Sequence, residues 1–129
     1  MLTDNMESLK DAMLKIIETK VTFDSFMMRK DASNTDAFQK VRAALESLAN
    51  FLADYESKVD VLLAQSSGQQ RVNLLGAKAN LHNAWFFTVV DFSKKRDSES
   101  LSKAVLHLDL AENYLKDAGF MPETLKKAA

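Results

Sequence analysis

The second quarter of the chain carries the longest regular pattern of apolar residues, and this pattern limits the fold more than any other feature. Between residues 36 and 65, apolar side chains alternate three and four positions apart: Phe38, Val41, Leu45, Leu48, Leu52, Tyr55, Val59 and Leu62. In an α-helix this spacing places them all on one narrow seam, which another helix can cover. The pattern therefore predicts a long helix over 36–65, ended by Ser66, Ser67 and Gly68.

Helical spacing elsewhere predicts three more helices, at about 4–30, 69–95 and 98–118. The chain has only three glycines and one proline, too few for the many turns of a sheet protein. Short polar connections between long helices make sequence neighbours antiparallel. We therefore expect an all-α fold, an antiparallel up-down-up-down four-helix bundle that occupies 1–129 as one domain, with 120–129 as a short C-terminal helical tail.

The predicted first helix opens with a capping signal, Asp4 followed three residues later by Glu7. Apolar residues then recur at helical spacing: Met6, Leu9, Met13, Ile16, Phe23 and Met27, with Ile17, Val21 and Met28 widening the stripe. Lys20 interrupts this stripe. Because an unpaired buried ammonium is costly, we expect it to lie near solvent and to pair with Asp24, one turn further on.

The predicted last helix has a clear apolar face and a clear end. Its apolar residues are Leu101, Ala104, Leu108, Ala111 and Leu115. Gly119 can take the left-handed conformation that ends a helix, Phe120 can fold back on the core, and Pro122 prevents continuation. The helix is therefore expected to stop near residue 118.

Composition argues against several functional classes. The 129 residues include 17 basic and 18 acidic side chains and no cysteine. A near-neutral balance without a basic patch is atypical of nucleic-acid binders, and thiol or disulfide chemistry is unavailable. No signal-peptide pattern and no membrane-spanning run occur in the sequence, so a small soluble cytoplasmic domain is the expectation.

The two histidines, His82 and His107, do not fall within a known catalytic or metal-binding motif. Di-iron helical bundles place a glutamate three residues before each ligand histidine, and neither histidine has one. Phosphate-binding loops and nucleophile motifs are also absent from the sequence. We therefore expect no enzyme activity, no metal and no cofactor.

The predicted third helix is unusual because apolar residues surround it almost completely. One apolar side carries Val72, Leu75, Ala79, Phe86 and Val89, and a second carries Leu74, Leu81, Trp85 and Phe92. Arg71, Lys78 and His82 run between the two. One side is expected to face the core, and the other a neighbouring helix or another chain.

Phe87 departs from this division. It projects onto the polar side of the helix with Asn73, Asn80, Asn83 and Asp91. An apolar residue at that place fits either a central helix or one covered by a partner, and both readings stay open. The leading hypothesis is a non-enzymatic protein–protein interaction module: an assembly subunit, adaptor, chaperone or inhibitor that binds a protein or self-associates. The partner-binding residues in this hypothesis are Trp85, Phe87, Val90, Lys78 and His82.

A short resemblance supports an alternative. The run at 4–9 resembles the start of the periplasmic b-type cytochromes, which are four-helix bundles, and 36–44 is similar to their second helix. The resemblance implies that Met6 is a haem ligand. The family's second ligand is a histidine that follows a tyrosine, whereas Tyr114 here is followed by leucine and His107 lies two turns earlier. The alternative function is therefore a bundle that binds haem or another cofactor, with Met6 and His107 as ligands.

Overall fold

The computed structural model describes residues 8–29 and 34–120, and within these residues the chain forms four helices and no strand. The expected all-α class is therefore confirmed for the described part. The first helix is Leu9–Arg29, the second is Asn34–Ala64, the third is Gly68–Trp85 continued by a π-helical segment Phe86–Asp91 and a last turn Phe92–Lys95, and the fourth is Glu99–Asp117.

The described part of the first helix begins one residue after Ser8. The Oγ atom of Ser8 accepts a hydrogen bond from the backbone N–H of Asp11 at 3.3 Å, which satisfies one of the free amides at the helix start. The predicted capping pair Asp4 and Glu7, like the predicted start at residue 4, lies outside the described residues.

The second and fourth helices supply most of the predicted core. All the predicted apolar positions of the fourth helix are buried, and so are those of the second from Phe38 to Val59. At the end of the second helix, Leu63 is buried instead of Leu62, which is only partly covered. The second helix packs on the first and third, and the fourth packs on the same two.

The apolar stripe of the first helix is narrower than the sequence suggested. Leu9, Met13, Ile16 and Phe23 are buried, whereas Met27 is exposed, as are Ile17, Val21 and Met28. Lys20 is partly exposed, and its Nζ atom lies 3.3 Å from Oδ2 of Asp24. The predicted intrahelical pair is therefore confirmed.

Three phenylalanines join the first, second and third helices. The ring centroids of Phe23 and Phe92 lie 5.0 Å apart in an edge-to-face arrangement, and those of Phe38 and Phe92 lie 5.5 Å apart and stacked. The guanidinium carbon of Arg96 lies 4.5 Å from the Phe38 centroid. Arg96 has a φ of 55°, and this left-handed residue ends the third helix beside the aromatic cluster.

The π-helical segment carries buried polar groups that the sequence pattern did not predict. Thr88 is fully buried and donates its hydroxyl to the carbonyl of Ala84 at 2.7 Å. Asp91 is also buried, and its Oδ2 accepts a hydrogen bond of 2.7 Å from the hydroxyl of Ser100. This bond ties the end of the third helix to the start of the fourth.

The fourth helix ends as the sequence predicted. Gly119 has a φ of +93°, and the N–H of Phe120 donates to the carbonyl of Leu115 at 2.9 Å. Phe120 packs against the core. Pro122 and the rest of the predicted tail lie outside the described residues. Among residues 8–29 and 34–120, no helix is long and apolar enough to cross a bilayer.

Candidate interaction surface

The third helix buries one of its two apolar sides and exposes the other. Leu74, Leu81 and Phe92 lie in the core, whereas Val72 is 57% exposed, Leu75 47% and Phe86 38%. The exposed residues Val72, Leu75, Ala79, His82 and Phe86 follow one another at steps of three and four, which is the spacing of a coiled-coil seam. We call this set the outer seam. It is roughly 20 Å long, given 1.5 Å per residue.

One edge of the outer seam is charged and faces the second helix. The Nζ atom of Lys78 lies 2.5 Å from Oδ1 of Asp60 and 3.9 Å from Oε2 of Glu56. The hydrogen bond to Asp60 raises the pKa of Lys78 above its ordinary value, and the negative charges of Asp60 and Glu56 act in the same direction against the opposing effect of desolvation. The lysine charge is therefore locally compensated.

His82 lies on the same edge. Its Nδ1 atom is 3.7 Å from Oε1 of Glu56, and its ring centroid is 5.6 Å from that of Trp85. An open groove of about 550 Å3 runs along this edge, lined by Glu56, Leu75, Lys78, Ala79, His82 and Asn83. The structure thus brings together three of the residues proposed from sequence, Lys78, His82 and Trp85. It adds carboxylates from the second helix, which no pattern within the third helix reveals.

Phe87, which projects onto the polar side of the third helix, lies on a different surface. That side of the helix is covered by the fourth helix. The Phe87 ring is stacked on the His107 ring at 5.5 Å between centroids, and the Nζ of Lys103 lies 5.6 Å from the Phe87 centroid. Phe87 therefore packs between helices, and its ring also meets that of Phe86, a member of the outer seam, edge-to-face at 5.4 Å between centroids. Val90 is exposed within the π-helical segment, one turn beyond Phe86.

A polar contact also joins the third and fourth helices through Asn80. Its Nδ2 donates to the carbonyl of Gly76 at 2.8 Å, so its Oδ1 is the atom left to face Nδ1 of His107, also at 2.8 Å. Because Oδ1 only accepts, Nδ1 of His107 is the donor in this bond. Met6, the other residue of the cofactor alternative, lies outside the described residues.

The fourth helix extends the exposed apolar surface beyond the outer seam. Leu106, Leu110 and Tyr114 are exposed, and the Tyr114 ring lies directly over Gly76 of the third helix. A Cβ atom built at Gly76 would lie 2.7 Å from Cε1 of Tyr114. The absence of a side chain at Gly76 therefore allows the ring to adjoin the third helix.

The first helix has an exposed apolar stripe of its own. It consists of Leu14, Ile17, Val21 and Met28, but Asp24 interrupts it at the position where the spacing calls for an apolar residue. The outer seam is the broader candidate because it continues onto the fourth helix.

Neither metal-binding groups nor similar proteins identify a function for this chain. Among residues 8–29 and 34–120, no group of three or more histidine, aspartate or glutamate side chains is placed to hold a metal ion. Comparisons with protein-family models, curated proteins and solved structures give no match to this chain.

Proposed function

We propose that this protein is a non-enzymatic protein–protein interaction module, acting as an assembly subunit, adaptor, chaperone or inhibitor. The observation that carries the proposal is the outer seam. Single exposed apolar residues are common on protein surfaces. A run of them at coiled-coil spacing, continued by Leu106, Leu110 and Tyr114, is instead typical of a surface that another protein covers.

We further propose that the four helices form an antiparallel up-down-up-down bundle. The contacts between the third and fourth helices support this arrangement, because residues later in the third helix contact residues earlier in the fourth. The contacting pairs are Gln70 with Ala118, Asn80 with His107, and Asp91 with Ser100. Between the second and third helices, Leu63 contacts Arg71 and Glu56 contacts His82. Such packing holds the outer seam on a rigid helix, which lowers the entropy lost on binding.

The proposal is tested by placing a charge in the outer seam. The protein and its Leu75→Asp variant are immobilised, and proteins retained from an extract of the native source are identified by mass spectrometry. Ile17→Asp is the matched control, because Ile17 is 44% exposed and lies on the first helix. We expect a specific protein, or the chain itself, to be retained by the original protein and the control and lost with Leu75→Asp. Equal retention by all three would refute the proposal.

A second candidate function is the binding of haem or another cofactor, and the hydrogen bond between Asn80 and His107 favours it. Histidines that ligate metals commonly donate their other N–H to an oxygen, which fixes the tautomer and leaves one nitrogen free to bind. Haem is added to the purified protein and the absorption spectrum is recorded. A Soret shift that is lost in both His107→Ala and Met6→Ala supports this function, and a spectrum identical to free haem excludes it.

A further inference from the structure

We propose that the partner of the outer seam is a second copy of this chain, docked with its third helix antiparallel to that of the first. This inference rests on the interaction function proposed above and adds the identity and the orientation of the partner. The two copies are related by a two-fold axis, so the same residues line both halves of the contact.

Side-chain sizes along the outer seam favour this arrangement. In an antiparallel pair, one register places Leu75 of each copy opposite Phe86 of the other and Ala79 opposite His82. The smallest side chain then faces the imidazole, and the aliphatic side chain faces the aromatic ring. A parallel pair instead places Ala79 opposite Ala79, which leaves a gap, and His82 opposite His82, which brings like charges together whenever both are protonated.

The edges of the outer seam fit the same register. In this register Lys78 of one copy lies about two residues, or roughly 3 Å along the helix axis, from Trp85 of the other, within reach of a cation–π contact. Both side chains lie on the edge that faces the second helix. Asp60 and Glu56 accompany each Lys78, so the edges meet without an uncompensated cation. The opposite edge is lined by Gly76 and Asn83, which are small and uncharged.

The exposed area is sufficient for a specific but weak dimer. With the exposed apolar side chains of the fourth helix included, each copy offers roughly 500 Å2, so that the contact buries about 1,000 Å2 in total, the lower end for a specific interface. Interfaces of this size with few buried polar contacts typically bind in the micromolar range. A reversible, concentration-dependent dimer is therefore expected.

Sedimentation equilibrium of the purified protein tests the identity of the partner. The apparent mass is expected to rise from one chain to two across the micromolar range. Leu75→Asp is expected to weaken dimerisation at least tenfold, and Ile17→Asp to leave it unchanged. Far-UV circular dichroism checks that the variants are folded, and Val72→Asp replaces Leu75→Asp if the latter is unfolded.

The orientation is tested by cross-linking, which is simple because the chain contains no cysteine. Chains that carry Ala79→Cys are mixed with chains that carry His82→Cys and then oxidised. The antiparallel register predicts that disulfide-linked mixed dimers form well in excess of either same-variant dimer. Preferential linkage of Ala79→Cys to itself overturns the orientation and thus the inference.

The outcomes also separate this inference from the proposed function. A protein that remains a single chain up to millimolar concentration overturns the inference. If such a protein still retains a different partner that Leu75→Asp loses, the interaction function stands. If it retains no partner through the outer seam, both the dimer inference and the proposed interaction function fail.

Discussion

Gly76→Ala is expected to destabilise this protein, although the same change normally stabilises a helix. Alanine in a helix interior is favoured over glycine by about 1 kcal/mol. At this position, however, the new Cβ would lie 2.7–2.9 Å from ring carbons of Tyr114, too close for contact. Tyr114 is partly exposed, so its ring can swing outward, but it then loses its contact with the third helix.

The size of the effect follows from the area of that contact. A displaced tyrosine ring gives up roughly 80 Å2 of apolar contact, which at about 25 cal/mol per Å2 corresponds to about 2 kcal/mol. After the gain of about 1 kcal/mol from alanine, the net loss in the free energy of unfolding is about 1 kcal/mol. In a Tyr114→Ala background the clash is absent, and Gly76→Ala is expected to stabilise by about 1 kcal/mol. The coupling between the two positions is then about 2 kcal/mol.

Urea unfolding followed by far-UV circular dichroism measures all four proteins of this double-mutant cycle. Ala79→Gly is the control, because Ala79 is exposed on the same helix and its replacement is expected to cost about 1 kcal/mol in both backgrounds. The reasoning is refuted if Gly76→Ala stabilises the original protein, or if its effect has the same sign and size with and without the tyrosine ring.

Further predictions concern the core, a buried hydrogen bond and the charged edge. Leu48→Ala is expected to lower the free energy of unfolding by about 2–5 kcal/mol, because Leu48 is buried. Leu14→Ala is expected to change it by less than about 0.5 kcal/mol, because Leu14 is exposed. Equal losses of the two variants in urea unfolding would contradict this prediction. Ser100→Ala removes the hydroxyl that donates to a buried carboxylate and is expected to cost about 1–3 kcal/mol in the same assay; no loss would show that the bond is unimportant. The pKa of Lys78 is raised above 10.5 by its bond to Asp60, so the stability from this pair is complete below the unfolded pKa and is lost as pH rises through the folded one. NMR titration of Lys78 is expected to give a midpoint above 10.5 that falls toward this value in Asp60→Asn; a midpoint at or below 10.5 in the original protein would contradict the argument.

The second and fourth helices are the parts of the fold that the sequence predicts best. In each, the apolar residues with the most regular spacing form one buried face, which packs against two other helices. When a helix has a single apolar face, the periodicity of the sequence identifies the buried residues directly. The burial of Leu45, Leu52 and Leu108 follows from this rule alone.

The third helix is predicted less well because it has several contact faces. Helical projection correctly places Phe87 on the same side of the helix as Asn80. It does not show which other helix packs against that side. The polar side is covered because Asn80 and His107 bond to each other across the helix pair and Phe87 stacks on the same imidazole. Such pairing depends on residues 27 positions apart in the chain, which a local pattern does not contain.

The charged edge of the outer seam could not be predicted from the sequence either, because it also depends on contacts between residues far apart in the chain. Lys78 was expected to divide two apolar surfaces, and it does, but its partners Glu56 and Asp60 come from the second helix. Once these carboxylates are in place, Lys78 no longer prevents apolar association beside it, since its charge is compensated before any partner arrives. Lys78 is thus better understood as the border of the proposed docking surface.

The fold does not explain why the outer face of the third helix is apolar. The core accounts for Leu74 and Leu81, the second helix for Lys78, and the fourth helix for Asn80. Polar residues in place of Val72 and Leu75 would cost the isolated chain little stability, because about half of each side chain is exposed and substitutions at such positions usually change stability by less than about 0.5 kcal/mol. In the proposed antiparallel dimer the same spacing meets a complementary seam, and this contact would give their apolar character a physical role.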